Sequence, residues 1–178
     1  FNGGLVGYFG YEIIRYIEPK LANIDKKDEL NVADILLMMS NDLLVVDNLS
    51  SKVHIITHIN PDESTYEDAV SKLNLIEDNI KKSFQHVSSP KAGIQTDDFV
   101  SSFGKNNFMK TVEDIRRYII SGDVMQVVPS QRLSCPFKAK PIDLYRELRI
   151  LNPSPYMYFL DLDDVAIVGS SPEILTRV

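Results

Sequence analysis

Glu173 stands in "VGSSPE", where an apolar stretch runs into a turn that presents a carboxylate. A carboxyl group placed this way can be a general acid or a metal ligand, and it serves equally as a helix cap or a surface charge. Gln126, in "GDVMQVV", follows a glycine turn and opens a β-prone run. It offers a neutral donor and acceptor, and its plainer role is that of a satisfied polar residue. "NPSPYMYF", Asn152 to Phe159, sets two prolines directly ahead of Tyr156 and Met157. Each proline fixes its own φ and restricts the residue before it. The segment is therefore a rigid elbow, suited to lining a ligand pocket and also to ending a helix.

Two further groups invite chemistry and do not support it. "GGLVGYFGYE" carries glycines at 4, 7 and 10, but no Lys-Ser/Thr follows and the spacing is not G-x-G-x-x-G opening a helix. Glycine inside an apolar strand instead marks close approach of backbone or of a large side chain. His54, His58 and His86 suggest metal ligation. Yet a spacing of four on a strand separates His54 from His58 by ~13 Å, and no Cys or third His sits at ligand spacing. No metal ligand is assigned on this chain.

The whole composition bounds the partners. The chain has 178 residues, 44% hydrophobic and 25% charged, as an ordinary globular protein does. Its net charge of -6 makes a nucleic-acid groove or an anionic membrane surface a poor fit. The longest apolar run, Ile35 to Met39, is far too short to span a bilayer. Cys135 is alone and residues 1 to 14 lack the basic segment of a secretion signal, which together fit a reducing cytoplasm. Phe1 and a closing "EILTRV" inside a strand-like stretch are expected of a piece of a longer protein.

The elements that must position these residues are legible in outline. Residues 3 to 11 read as a buried strand, and "YEIIRYIEP" as a helix stopped by Pro19. A charged loop, "LANIDKKDEL", follows. "DNLSS" turns a hairpin between Leu43–Val46 and Val53–Ile59. A capping box, Ser64 with Glu67, opens a helix striped by Val70, Leu73, Ile76 and Ile80. The composition from Gln85 to Phe103 is that of a linker. Asn106 or Asn107 caps the next helix, with Phe108, Val112, Ile115 and Ile119, which ends at "SGD". "VMQVVPSQRLSCPF" reads as a strand with a bulge or edge at Pro129. Pro141 opens a helix that carries Leu144, Leu148 and Leu151 and is broken by "PSP". The last element is a hairpin turning at Asp161–Asp164. Hairpins separated by long helices predict an α+β fold, mainly antiparallel sheet with flanking helices.

Four segments in this order, "GGLVGYFGYE", "YIISGDVMQVVPSQRL", "LYRELRILNPSPYMYFL" and "IVGSSPEILTRV", resemble the anthranilate synthase component I branch of the chorismate-utilising enzymes. The resemblance runs from residue 3 to 178 and is weakest across residues 20 to 105. It implies an incomplete part of that family's fold. Residues 1–88 would be the end of an N-terminal regulatory region, 89–104 a linker or surface connection, and 105–178 the start of a chorismate-binding catalytic region.

The implied reaction adds ammonia at C2 of chorismate, expels the C4 hydroxyl and eliminates pyruvate to leave anthranilate. Mg²⁺ would act as Lewis acid on the substrate, held by residues beyond this chain. Hydroxide is a poor leaving group, so an acid near C4 is required, a role the resemblance gives to Glu173. Water-using relatives carry a lysine at the place of Gln126. Ammonia already offers a lone pair and needs no such base, so a glutamine there suits ammonia as nucleophile. Pro155, Tyr156 and Met157 match the segment that contacts feedback-inhibitory L-tryptophan. The ammonia would come from a glutamine amidotransferase subunit. Two alternatives share some of these features: aminodeoxychorismate synthase component I, which also uses ammonia, and a non-catalytic module sensing an aromatic amino acid.

Overall fold

The computed structural model of the protein describes residues 1–24, 28–82 and 93–177. His86, part of the charged loop at 25–27, and 89–92 of the expected connection lie outside the described residues. The chain forms two compact units, Phe1–His86 with Leu160–Val165, and Val87–Phe159 with Ala166–Val178.

In the first unit, β1 (Gly4–Phe9) pairs antiparallel with β2 (Ile35–Ser40), placing Gly7 opposite Leu37. The expected strand is there, but it is not buried: Leu5 is 58% and Phe9 60% exposed. The pair is a two-stranded ribbon among the described residues, too narrow to cover its own faces. The glycine reading holds at Gly7, where an added Cβ would stand 1.9 Å from the Leu36 carbonyl oxygen. A 3-10 turn at Tyr11–Ile13 leads into α1 (Ile14–Ile17), which stops ahead of Pro19.

The hairpin of β3 (Asp42–Asp47) and β4 (Lys52–Thr57) turns at the expected place. Asp47 fixes that turn by accepting from the Leu49 N–H at 2.9 Å and the Ser50 hydroxyl at 2.6 Å. β4 ends at Thr57, so His58 lies past the strand, with its N–H on the Asn41 carbonyl at 2.8 Å and its ring against the Asn2 carbonyl. The hairpin side chains are half-exposed or exposed; Val46 is 58% exposed.

α2 (Tyr66–Lys81) packs on β4 through a stripe in which Leu73 and Ile76 are half-buried. Lys72 Nζ meets Asp42 Oδ2 at 2.8 Å, and Asp42 also accepts the Thr57 hydroxyl at 2.6 Å. The ammonium first, and the hydroxyl second, hold the Asp42 carboxyl below the usual carboxylate range.

The capping box sits one residue later than expected. Thr65, extended at φ -88, accepts the Asp68 N–H at 3.2 Å, and Asp68 Oδ2 accepts the Thr65 N–H at 2.9 Å. Both Ser64-x-x-Glu67 and Thr65-x-x-Asp68 satisfy the pattern, and the backbone turn at Asn60–Ser64 selects the second. Thr65→Ala should cost about 1 kcal/mol in urea unfolding and Ser64→Ala only a few tenths. The Thr65 hydrogen bonds lower the Asp68 pKa. The cap's contribution is therefore present above the ordinary carboxylate range and lost as pH falls through the lowered value.

In the second unit a 3-10 turn at Thr96–Asp98 precedes β5 (Val100–Ser101), which pairs with β6 (Leu133–Ser134). α3 spans Lys105–Ser121, capped by Gly104 and not by Asn106 or Asn107, which fall inside the first turn. Ser101 Oγ accepts the N–H groups of Phe103 and Gly104 at 3.1 and 2.9 Å. The Phe103 ring stands edge-on to Phe108 at 6.3 Å, a hydrophobic staple that fixes the entry of the chain. Gly122, at φ 82, ends the helix as expected, and the Asp123 N–H bonds back to the Tyr118 carbonyl at 3.0 Å.

The strand expected over residues 124–137 forms only at Leu133–Ser134. Residues 124–130 are irregular and Met125 is 97% exposed, because a β-prone run becomes a strand only where another backbone pairs with it; Arg132, next to β6, has the Ser102 N–H on its carbonyl at 2.9 Å. Pro141 opens α4 (Pro141–Leu151) as expected. β7 (Tyr156–Asp161) and β8 (Ala166–Ser171) follow, joined by a turn closed from the Leu162 N–H to the Val165 carbonyl at 3.0 Å. The fold class is α+β, with the described strands arranged as four antiparallel pairs rather than one sheet.

Candidate functional site

Four of the five predicted site residues meet at one end of the β7–β8 hairpin. Proline chemistry builds that end. α4 stops when Asn152, whose N–H still reaches the Leu148 carbonyl at 2.9 Å, leaves helical geometry (φ -143, ψ 67) ahead of Pro153. Ser154 is then confined between Pro153 and Pro155. Its hydroxyl donates to the Ser171 carbonyl at 2.8 Å, and the Ser170 hydroxyl donates to the Asn152 carbonyl at 2.8 Å. These two bonds close the elbow onto the last residues of β8. Ser171 Oγ donates onward to the Glu173 carbonyl at 2.9 Å, across Pro172. The elbow and the glutamate thus share one laced backbone.

Successive side chains of a strand face opposite ways. Tyr156 shares a face of β7 with Tyr158, and Met157 shares the other with Phe159. The Tyr158 ring covers Gly169 of β8, where an added Cβ would come within 2.0 Å of its Cζ. On the other face, Phe159 meets Tyr145 of α4 with centroids 6.2 Å apart, and the Arg149 guanidinium lies 5.8 Å from the Tyr145 ring. α4 also packs on β8. Met157 is half-buried and Tyr156 exposed. A ligand touching both must therefore grip the strand at its end, where the elbow leaves them accessible.

Glu173 lies past the end of β8 and is exposed. Among the described residues no hydrogen bond or ion pair is made by its carboxylate, which leaves both oxygens available to a ligand. Gln126 is not brought into this lacing. It lies in the irregular stretch after α3, exposed, with no side-chain hydrogen bond among the described residues. Among those residues, no three His, Cys, Asp or Glu side chains are grouped so that they could hold a cation.

The sequence reading missed Ser154, Ser170 and Ser171. A signal exists for two of them: Ser154 lies between two prolines and Ser171 directly precedes Pro172, and such fixed turns recruit short side chains to satisfy their carbonyls, whereas Ser170, inside β8, carries no such local mark.

The chain is similar to known proteins along its length. The profile of the chorismate binding enzyme family matches residues 2–178. The chain is 46% identical over 184 residues to anthranilate synthase component 1 of Pseudomonas putida, covering 100% of this chain and 37% of that protein. It is 48% identical over 181 residues to the protein of the same name from Neisseria meningitidis serogroup B, covering 99% of this chain and 36% of that one. Among solved structures it resembles anthranilate synthase component I from Streptococcus pneumoniae TIGR4, with TM-score 0.81 and 30% identity, over 97% of this chain and 39% of that one. The chain therefore spans a little over a third of the length of these relatives. No described helix is long and apolar enough to cross a membrane.

Proposed function

The chain belongs to the chorismate binding enzyme family, and from that premise we propose that it is a portion of the large subunit of an anthranilate synthase. The complete protein converts chorismate and ammonia to anthranilate, pyruvate and water. The observation that carries this reading is the pairing of the "NPSPYM" elbow with the "SSPE" turn, within a chain aligned along its length to proteins of that name.

Glu173 holds a proton for the C4 oxygen, so that water and not hydroxide departs. Gln126, neutral and able to accept or donate, suits an ammonia nucleophile that needs no base. Pro155, Tyr156 and Met157 form part of an L-tryptophan site by which the end product restrains the enzyme. Mg²⁺ would polarise the substrate from residues outside this stretch. The ammonia is supplied by a glutamine amidotransferase subunit, and the complex works in the cytoplasm. The aminodeoxychorismate reading shares the acid and the nucleophile. The names of the relatives favour anthranilate.

Product analysis separates the two. The complete protein, given chorismate, an ammonium salt and Mg²⁺, should release fluorescent anthranilate and pyruvate in equal amounts. A stable 4-amino adduct without pyruvate would support the other enzyme, and no turnover of chorismate would support the sensing module. In the same assay Met157→Thr should weaken tryptophan inhibition while leaving uninhibited turnover within a few fold. Unchanged inhibition would make the elbow a structural feature alone.

A further inference from the structure

Three serine hydroxyls join the elbow to the glutamate, and the proposed chemistry uses none of them. Ser154, half-buried between two prolines, holds the Ser171 carbonyl at 2.8 Å. Ser170 returns a bond to the Asn152 carbonyl at 2.8 Å, on the other side of the same elbow. Ser171 holds the Glu173 carbonyl at 2.9 Å. Glu173 is past the last residue of β8, so no strand ladder fixes its backbone. What fixes it is Pro172 and the Ser171 hydroxyl.

We propose that Ser154 and Ser171 are positioning residues for Glu173, their hydroxyls making the elbow and the glutamate one mechanical body. The inference rests on the reading of Glu173 and the elbow given above. Its physical content is that the acid inherits the rigidity of the prolines. A reacting group displaced by about 1 Å can lose on the order of 10²-fold in rate, and the Ser171 bond is what stands between Glu173 and such a displacement. A ligand seated on Pro155–Met157 loads the same body. By linkage, whatever chorismate bound at Glu173 does to tryptophan affinity, tryptophan does equally to chorismate affinity.

The test uses the complete protein with chorismate, ammonium and Mg²⁺, comparing wild type, Ser171→Ala, Ser171→Thr and Ser154→Ala. Ser171→Ala should lower kcat by about 10–100-fold with KM for chorismate little changed, and Ser171→Thr, which keeps the hydroxyl, should restore it. Ser154→Ala should show the same split in smaller measure, and it keeps the test open should Ser171→Ala fail to fold. Both alanine variants should raise the tryptophan concentration needed for half inhibition. Wild-type turnover with kcat unchanged in Ser171→Ala and Ser154→Ala would overturn the positioning role alone. So would a threonine variant as impaired as the alanine one, which marks a merely structural site. A wild type that forms no anthranilate would overturn the functional reading and the positioning role together.

Discussion

Glu173→Gln in the complete protein is expected to lower kcat for anthranilate formation by ~10²–10⁴, equivalent to about 3–5 kcal/mol of barrier. Glutamine keeps the size of the side chain and much of its hydrogen bonding. It cannot deliver a proton to the C4 oxygen, so the leaving group must depart as hydroxide. The lost interaction is one made in the transition state, so KM for chorismate should change far less than kcat. The fold should be intact, because the contact holding this residue to the hairpin runs through its backbone carbonyl, which substitution leaves in place. Steady-state kinetics on the purified variant, with circular dichroism as the folding control, reads the effect. Retention of more than about a tenth of wild-type kcat, well short of a general acid's usual share, would reduce Glu173 to a turn residue.

Gly7→Ala should be the most damaging small substitution in the first unit. An added Cβ would stand 1.9 Å from the Leu36 carbonyl oxygen and 2.9 Å from Leu37 Cα, both backbone atoms of the partner strand. A side-chain neighbour can rotate away, but a paired backbone can yield only by breaking the β1–β2 ladder. Overpacking usually costs about 1–3 kcal/mol, and the immobility of the neighbour puts this case at or above the upper end. Gly169→Ala provides the comparison, since there the Cβ meets the Tyr158 ring, a side chain on an exposed face. It should cost less. Denaturant midpoints for the two variants decide the order, and equal midpoints would mean that the close approach at Gly7 is not a constraint.

The legible parts of this fold were those encoded within a few residues. Gly122 and Pro141 mark helix ends because left-handed geometry and a missing N–H are properties of single residues. The "DNLSS" turn was legible because Asp47 satisfies its own turn two and three residues on. Where two local patterns competed, as at Ser64 and Thr65, the reading was off by one residue. The burial expected of residues 3–11 is not found, because apolar pattern records what a strand can bury, not what lies against it. The same limit explains residues 124–130, a β-prone run that no described backbone pairs with, whereas Arg132 beside β6 is bonded to Ser102. At the site, Glu173 and the elbow were visible as motifs. Their connection was not, since Ser154–Ser171 and Ser170–Asn152 join residues 17 and 18 apart.

The account turns on Glu173 giving a proton to the leaving oxygen, and the leaving group itself can be made to report this. A chorismate analogue whose C4 hydroxyl is replaced by a halide loses that group without protonation. Comparing kcat for wild type and Glu173→Gln on chorismate and on the halide isolates the proton from every other role of the residue. The account predicts a loss of ~10²–10⁴ on chorismate and recovery of most of that loss on the halide. An equal loss on both substrates would contradict it, because a residue that matters as much when no proton is needed is not the acid.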